Sequence, residues 1–334
     1  MNTKDKYHLL CNTETSIPIF SRDWWLDTVC GKDKWKVLLV EEKERITAAM
    51  PLYCPRQGII SMPSYTQTMG PWFAPESKDT KYTKTLGHRQ VLCKQLLNTL
   101  KSYPYFMQNF HYGITDWLPF YWEGYRQTTR YTYMLKDIRN TKAILGNMSF
   151  NIRRNITKAR DKYHITVKKG ISIEEFLLIQ AQTFKRQQIT NKEDMEVLIK
   201  LINICRKRDQ GDLWGGYDEQ GRLQGFRINR VDGNKLYPQE MPRIVWQESS
   251  AWYLAGGGNP TLRESGAHSL ILWEAIRYVS QYTDTFDFEG SMIPGVERFF
   301  REFGAIQTPF FTITKGKLSL LNRACLKIGR IINR

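Results

Sequence analysis

The segment FDFEGS sets the first chemical question. Asp287 and Glu289 alternate there with Phe286 and Phe288. Side chains on an extended strand project to opposite faces in turn, so both carboxylates share one face and both rings the other. Glu289 stands near the C-terminal end of that strand, where open α/β sheets hold their ligands. An acid in such a place can take a proton or hold an amine. The plainer reading is a pair of partly buried carboxylates tied to backbone amides or arginines. A second constellation is cationic. NIRRNITKARDKYHITVKK (151–169) sets Arg153, Arg154, Lys158, Arg160, Lys162, Lys168 and Lys169 against one acid, Asp161. Arg153, Arg154, Lys158 and Lys162 recur at helical spacing, roughly one stripe. Like charges so spaced destabilise a helix slightly, so the stripe points to an anion, a phosphate above all, over a merely solvated face.

Composition narrows the class. The 334 residues are 41% hydrophobic and 25% charged, the profile of a globular protein, with length for two domains. A formal charge of +16 favours polyanionic partners: nucleic acid, a nucleotide-linked substrate or an anionic membrane surface. No stretch reads as a signal peptide or a membrane span, which leads to a cytoplasmic expectation. The six cysteines are scattered, with no CxxC pair and no His/Cys cluster, which argues against structural zinc and a disulfide framework. No bound metal or resident cofactor is expected. The tail KLSLLNRACLKIGRIINR spaces Leu318, Leu321, Cys325, Ile328 and Ile331 at helical intervals among basic residues. It fits a terminal helix packed on the body, or one lying at the inner face of an anionic membrane.

The elements that must position these residues occur twice. Around 35–135 and again around 212–314 the chain runs through one order, offset by roughly 180 residues. The first copy reads as a hairpin turning at Glu42–Arg45, a strand-like GIISMPSYTQ, a helix from about Gly87 to Tyr103, the strand PYFMQNF, a short aromatic helix and TTRYTYML. The second reads as a hairpin turning at Asp218–Arg222, SAWYLAGG, a helix from about Gly266 to Tyr282, FDFEGS, a short helix and QTPFFTIT. Between the copies, Ser172 and Glu175 form a capping box ahead of a helix burying Phe176, Ile179 and Phe184. A second helix there gathers Leu198, Leu201, Ile202 and Cys205 on one side. The pattern is a duplicated mixed α/β sheet.

The order of elements resembles the GNAT acyltransferase fold, and two copies in one chain resemble the FemABX group, the peptidoglycan-bridge aminoacyltransferases and their relatives. The residues that carry the likeness are NIRRNITKAR, AWYLAGGGNPTLRESGAHSLILWEAIRYV, FDFEGSMIPGVERFFREFGA and, in the first copy, PSYTQTMGPWF. The resemblance implies two tandem GNAT-like domains, 1–145 as structural or acceptor-binding and 146–315 as the catalytic candidate, followed by the basic segment 316–334. It implies transfer of an acyl group to an amine on a sugar, peptide or cell-envelope precursor, with acyl-CoA as the favoured co-substrate and an aminoacyl-tRNA as the alternative. The splay between SAWYLAGG and FDFEGS would hold the reaction, with Glu289 as base or amine binder, Asp287 beside it and Tyr253 donating to the leaving group. In acyl-CoA enzymes of this fold a Q/R-x-x-G-x-G/A loop holds the pyrophosphate on helix amides. Here Arg263, Ser265, Gly266 and Ala267 fill that stretch, while Glu264 and His268 depart from it; Ser265 as a simple helix cap is the alternative. Bridge-peptide enzymes tend to carry a lysine in F-K-x-x-F-G, where this chain has Phe300, leaving Arg298 or Arg301 as phosphate clamps or as surface residues. Tyr65 and Trp72, beside Gly70–Pro71, are candidates to stack on a sugar or base, with core packing the alternative. A degenerate nucleic-acid-binding scaffold is the reading of another class.

Overall fold

The computed structural model describes residues 1–77, 79–177, 192–219, 243–247, 249–255 and 264–318. In chain order the first elements are helices α1 (Thr3–Thr13) and α2 (Asp23–Cys30), then strands β1 (Trp35–Glu42), β2 (Arg45–Arg56), β3 (Ile59–Ser61) and β4 (Trp72–Phe73). There follow α3 (Tyr82–Leu100), β5 (Tyr105–Asn109), α4 (Leu118–Trp122) and β6 (Arg126–Lys136). Next come α5 (Thr141–Asn147), α6 (Phe150–Thr157), which runs on into a π turn over Lys158–Lys162, and β7 (Thr166–Lys169). Helix α7 is described over 173–177. The remainder is α8 (Lys192–Lys207), β8 (Gly211–Tyr217), β9 (Arg243–Gln247), β10 (Ser250–Ala255), α9 (Ala267–Val279), β11 (Thr285–Asp287), α10 (Pro294–Glu302) and β12 (Ile306–Lys315). No helix among the described residues is long and apolar enough to cross a membrane.

Two compact units result: Met1–Tyr131 with the stretch from Pro309 on, and Thr132–Thr308. In the first unit β1, β2 and β3 pair antiparallel in succession, β3 lies parallel to β5, and β5 pairs antiparallel with β12. The first hairpin turns where its sequence does: Glu42 faces Arg45, and Lys43 and Glu44 both take positive φ. Behind this sheet α3 buries Leu92, Leu96, Leu97 and Leu100 on one side. Each fully buried leucine is worth roughly 2 kcal/mol over an exposed one. In the second unit the order is β6, β11, β10, β9, β8 and β7, with only the β10–β11 pair parallel. Helix α9 buries Ile271, Leu272, Ala275, Ile276 and Val279. It lies close on β8, since a Cβ on Gly216 would come within 2.8 Å of the Ile271 side chain.

The structure departs from the sequence expectation at four places. Two contiguous copies would pair β5 with β6 and β11 with β12; instead β5 pairs with β12 and β11 with β6, so the closing strands are exchanged. Strand β9, RIVWQ, was not anticipated, because a short apolar run without alternation carries no period. Helix α3 begins at Tyr82, ahead of Gly87, which sits inside the helix with open space beside it. The first thirty residues form α1 and α2, α1 opening on a capping box of Asn2 and Asp5. Residues 220–222 of the turn expected at Asp218–Arg222, residues Ile179 and Phe184, and the tail beyond Leu318 lie outside the described residues.

Candidate active site

Strands β10 and β11 run parallel through three partner pairs, ending at Trp252 opposite Asp287. There β11 stops. Phe288 donates its N–H to the carbonyl of Tyr133 on β6 at 2.9 Å, and Glu289 turns into the left-handed region with φ +58°. Strand β10 runs on through Tyr253 to Ala255. The parallel pairing therefore ends at Trp252 and Asp287, with Tyr253 the next residue along β10 and Glu289 two residues past the end of β11. Aromatic rings fill the space below: Phe288 packs on Phe286, Phe300 and Phe303 with centroids 5.0–5.5 Å apart.

The two carboxylates do different work. Asp287 is fully buried, and its Oδ1 accepts both the Thr132 hydroxyl and, at 2.7 Å, the Glu289 N–H. That second bond closes a tight turn and holds Glu289 in a backbone region non-glycine residues avoid, a state that costs of order 1 kcal/mol. The expected sharing of one strand face is thus corrected: the strand ends at Asp287, and Glu289, half-buried, is aimed by a turn instead. Tyr253, 9% exposed, meets the rings of Phe300 and His268 edge-on at 6.0 and 6.1 Å. His268, half-buried at the start of α9, lies 5.0 Å from the Phe299 ring. The sequence marked His268 only as a misfit in a motif; its place beside Tyr253 depends on how α9 packs against β10.

The start of α9 is closed by the protein itself. Ser265 Oγ accepts the Ala267 N–H at 3.1 Å, and the Gly266 carbonyl accepts the amides of Ser269 and Leu270. Ser265, Gly266 and Ala267 are all buried, while Arg263 lies outside the described residues. Gly266 has φ +78°, and a Cβ there would come within 2.5 Å of the Asn155 carbonyl on α6. Only glycine tolerates both demands.

Helix α6 is what closes it, and α6 carries the basic stripe. Ile152, Ile156 and Ala159 face the core. Arg154 and Lys158 lie one residue before and three after Asn155, on the stretch of chain that meets the start of α9. Arg153 donates to the Gly146 carbonyl at 3.2 Å, Arg154 sits 5.8 Å from the Phe150 ring and Lys158 5.6 Å from that of Tyr163. Among the described residues no carboxylate lies within ion-pair range of Arg153, Arg154, Lys158 or Lys162. Arg298 and Arg301 differ: each is bonded one turn along α10, to Glu302 at 2.9 Å and Glu297 at 2.8 Å. Glu297 also accepts the Tyr133 hydroxyl, and Arg301 first, then Tyr133, hold its carboxyl below the usual range. Tyr65 and Trp72 belong to the other unit and are buried there, Trp72 donating its indole N–H to Ser16 at 2.9 Å. The five described cysteines are free thiols, and burial raises those of Cys11, Cys93 and Cys205 to about 12, out of nucleophilic range.

No family model matches the chain, and no curated protein matches it in sequence. Solved structures do match. FemX superposes over 93% of this chain and 96% of its own, with a TM-score of 0.65 at 12% identity. The chain folds as FemX does. The C-terminal domain of a putative lysylphosphatidylglycerol synthetase from Agrobacterium fabrum matches over 90% and 91% of the two chains (TM-score 0.54, 9% identity). L-PGS from Bacillus licheniformis matches over 99% and 96% (TM-score 0.54, 10% identity). The mixed α/β, FemABX-like fold expected from the residues is the fold observed.

Proposed function

We propose that the chain is an N-acyltransferase that moves an activated acyl or aminoacyl group onto an amine of a cell-envelope precursor. The observation that carries this is the end of the β10–β11 pairing just before Tyr253 and Glu289, supported by α6 cations that have no acidic partner among the described residues. A neutral amine attacks the activated carbonyl, forming the C–N bond. Glu289 takes the proton the amine sheds, and Tyr253 donates to the departing oxygen or sulfur as the C–O or C–S bond breaks. Asp287 acts through the turn that aims Glu289 and does not touch the reacting atoms. Glu289→Gln is expected to lower kcat roughly 100-fold with the fold intact. Unchanged turnover in that variant and in Tyr253→Phe would remove both assignments.

For the donor, the sequence favoured acyl-CoA, whose pyrophosphate needs open helix amides. The Ala267, Ser269 and Leu270 amides at the start of α9 are bonded within the protein, which supports a donor held by the α6 stripe, an aminoacyl-tRNA, instead. The name of the lysylphosphatidylglycerol synthetases fits aminoacyl transfer as well. Titration with acetyl-CoA, beside filter binding of aminoacyl-tRNA at two salt concentrations, tests this. Salt-sensitive tRNA binding without CoA binding supports it; micromolar CoA binding reverses the choice; silence from both favours a scaffold.

A further inference from the structure

Strand β1 closes one side of the sheet in the first unit, with β2 as its only strand neighbour among the described residues. The Cys54 N–H donates to the Lys34 carbonyl at 2.8 Å, directly across the hairpin. Backbone groups alternate direction along a strand, so Trp35, Val37 and Leu39 turn theirs away from β2. A cleft of about 400 Å³ follows this edge, lined by every residue from Trp35 to Leu39, by Lys4 of α1 and by Gln95 and Thr99 of α3. Consecutive residues point to opposite faces, so a cleft that all of them line has the backbone edge itself in its floor. Leu38 and Leu39 are only half-buried there.

The side chains along the edge are self-complementary. In an antiparallel pair, residues opposite each other must both turn their backbone groups toward the partner or both away. A two-fold axis at Leu39 satisfies this and sets Leu39 against its own mate, Leu38 against Val40 and Lys36 against Glu42, the last pair occurring twice by symmetry. Past the strand ends the same register carries Lys34 toward Glu44. An axis moved to Leu38 or to Val40 sets Lys36 opposite Val40 or Glu42 opposite Leu38, so of the three only the axis at Leu39 pairs the two opposite charges within the strand itself. Lys36 is exposed and has no ion-pair partner among the described residues, while both oxygens of Glu42 lie within reach of His88 Nε2, at 3.3 and 3.1 Å.

From this edge we infer that two copies of the chain associate through β1, strand to antiparallel strand, about a two-fold axis at Leu39. One strand pair and its flanking side chains make a small interface, so the dimer is weak and dilutes apart. The inference is independent of the proposed chemistry.

Sedimentation velocity of the full chain over a wide concentration range tests it. The wild type is expected to pass from monomer to dimer as concentration rises. Lys36→Glu and Glu42→Lys each place two like-charge contacts in a dimer, and each is expected to weaken association roughly tenfold. An equimolar mixture of the two variants is expected to dimerise as the wild type does, because each reversed charge then meets an opposite one on the other copy. A wild type that stays monomeric, variants that associate as tightly as it does, or a mixture no tighter than its parts would overturn the inference. Thermal midpoints check that the variants fold. Should Glu42→Lys fail to fold through loss of His88, Lys36→Glu against wild type decides.

Discussion

A buried carboxylate survives only with donors or a cation around it, and Asp287 has donors in the Thr132 hydroxyl and the Glu289 amide. Asp287→Asn keeps the shape but weakens both bonds, so it is expected to lower unfolding stability by about 1–3 kcal/mol in urea titration. Turnover should fall too, although Glu289 itself is untouched. The first unit has a different residue at the matching strand end, His111. Burial lowers its pKa to about 4, and its Nδ1 accepts the Gly113 N–H at 3.1 Å. The folded state keeps this ring neutral while the unfolded chain protonates near 6.5, so stability is full above that pH and declines as pH falls toward 4. His111→Gln is expected to flatten that part of a stability–pH curve measured by denaturant midpoints. Glu289 and Tyr253 stand out in the sequence by residue type and strand position. The positive φ of Glu289 does not, because a turn built on an aspartate two residues earlier looks, in letters, like one more step of alternation.

Elements with a strong local period were read well. The Ser172–Glu175 capping box is present with both bonds, and Leu198, Leu201, Ile202 and Cys205 are all buried. Helix α6 was read as a basic stripe; that its other side closes the start of α9 was not legible, since contact between distant helices leaves no mark on either one's period. Two predictions belong to that contact. Gly266→Ala adds a Cβ against Asn155 in a left-handed conformation, and a loss of at least about 2 kcal/mol is expected by chemical denaturation. Arg154→Glu with Lys158→Glu is expected to leave the melting temperature nearly unchanged, since neither side chain has an acidic partner among the described residues. The same double variant should weaken binding of an anionic donor and flatten its salt dependence in filter binding.

At the scale of the whole chain the duplication was visible and the exchange of closing strands was not. TTRYTYML and QTPFFTIT carry the same pattern at the end of each copy, and nothing in either says which neighbour it will bond. The pairing of Thr312–Lys315 with residues 106–109 makes a fragment of residues 1–131 incomplete. Such a fragment is expected to give a poorly dispersed amide NMR spectrum, which sharpens into that of a folded unit when a peptide of residues 304–318 is added; a well-folded fragment alone would contradict this. Residues 132–308, by contrast, bring β11 together with Met134–Lys136, the part of β6 that pairs with it. This inverts the usual order of events on the ribosome, where the N-terminal domain is the first to finish. The second unit here has all its strands as soon as residue 308 is out. The first, though made earlier, waits with an unfilled place beside β5 until residues 312–315 emerge. A nascent chain stalled with residue 308 out and residue 312 still held would therefore have a finished second unit and an unfinished first, and a chaperone that guards open sheet edges would find its client in the first unit.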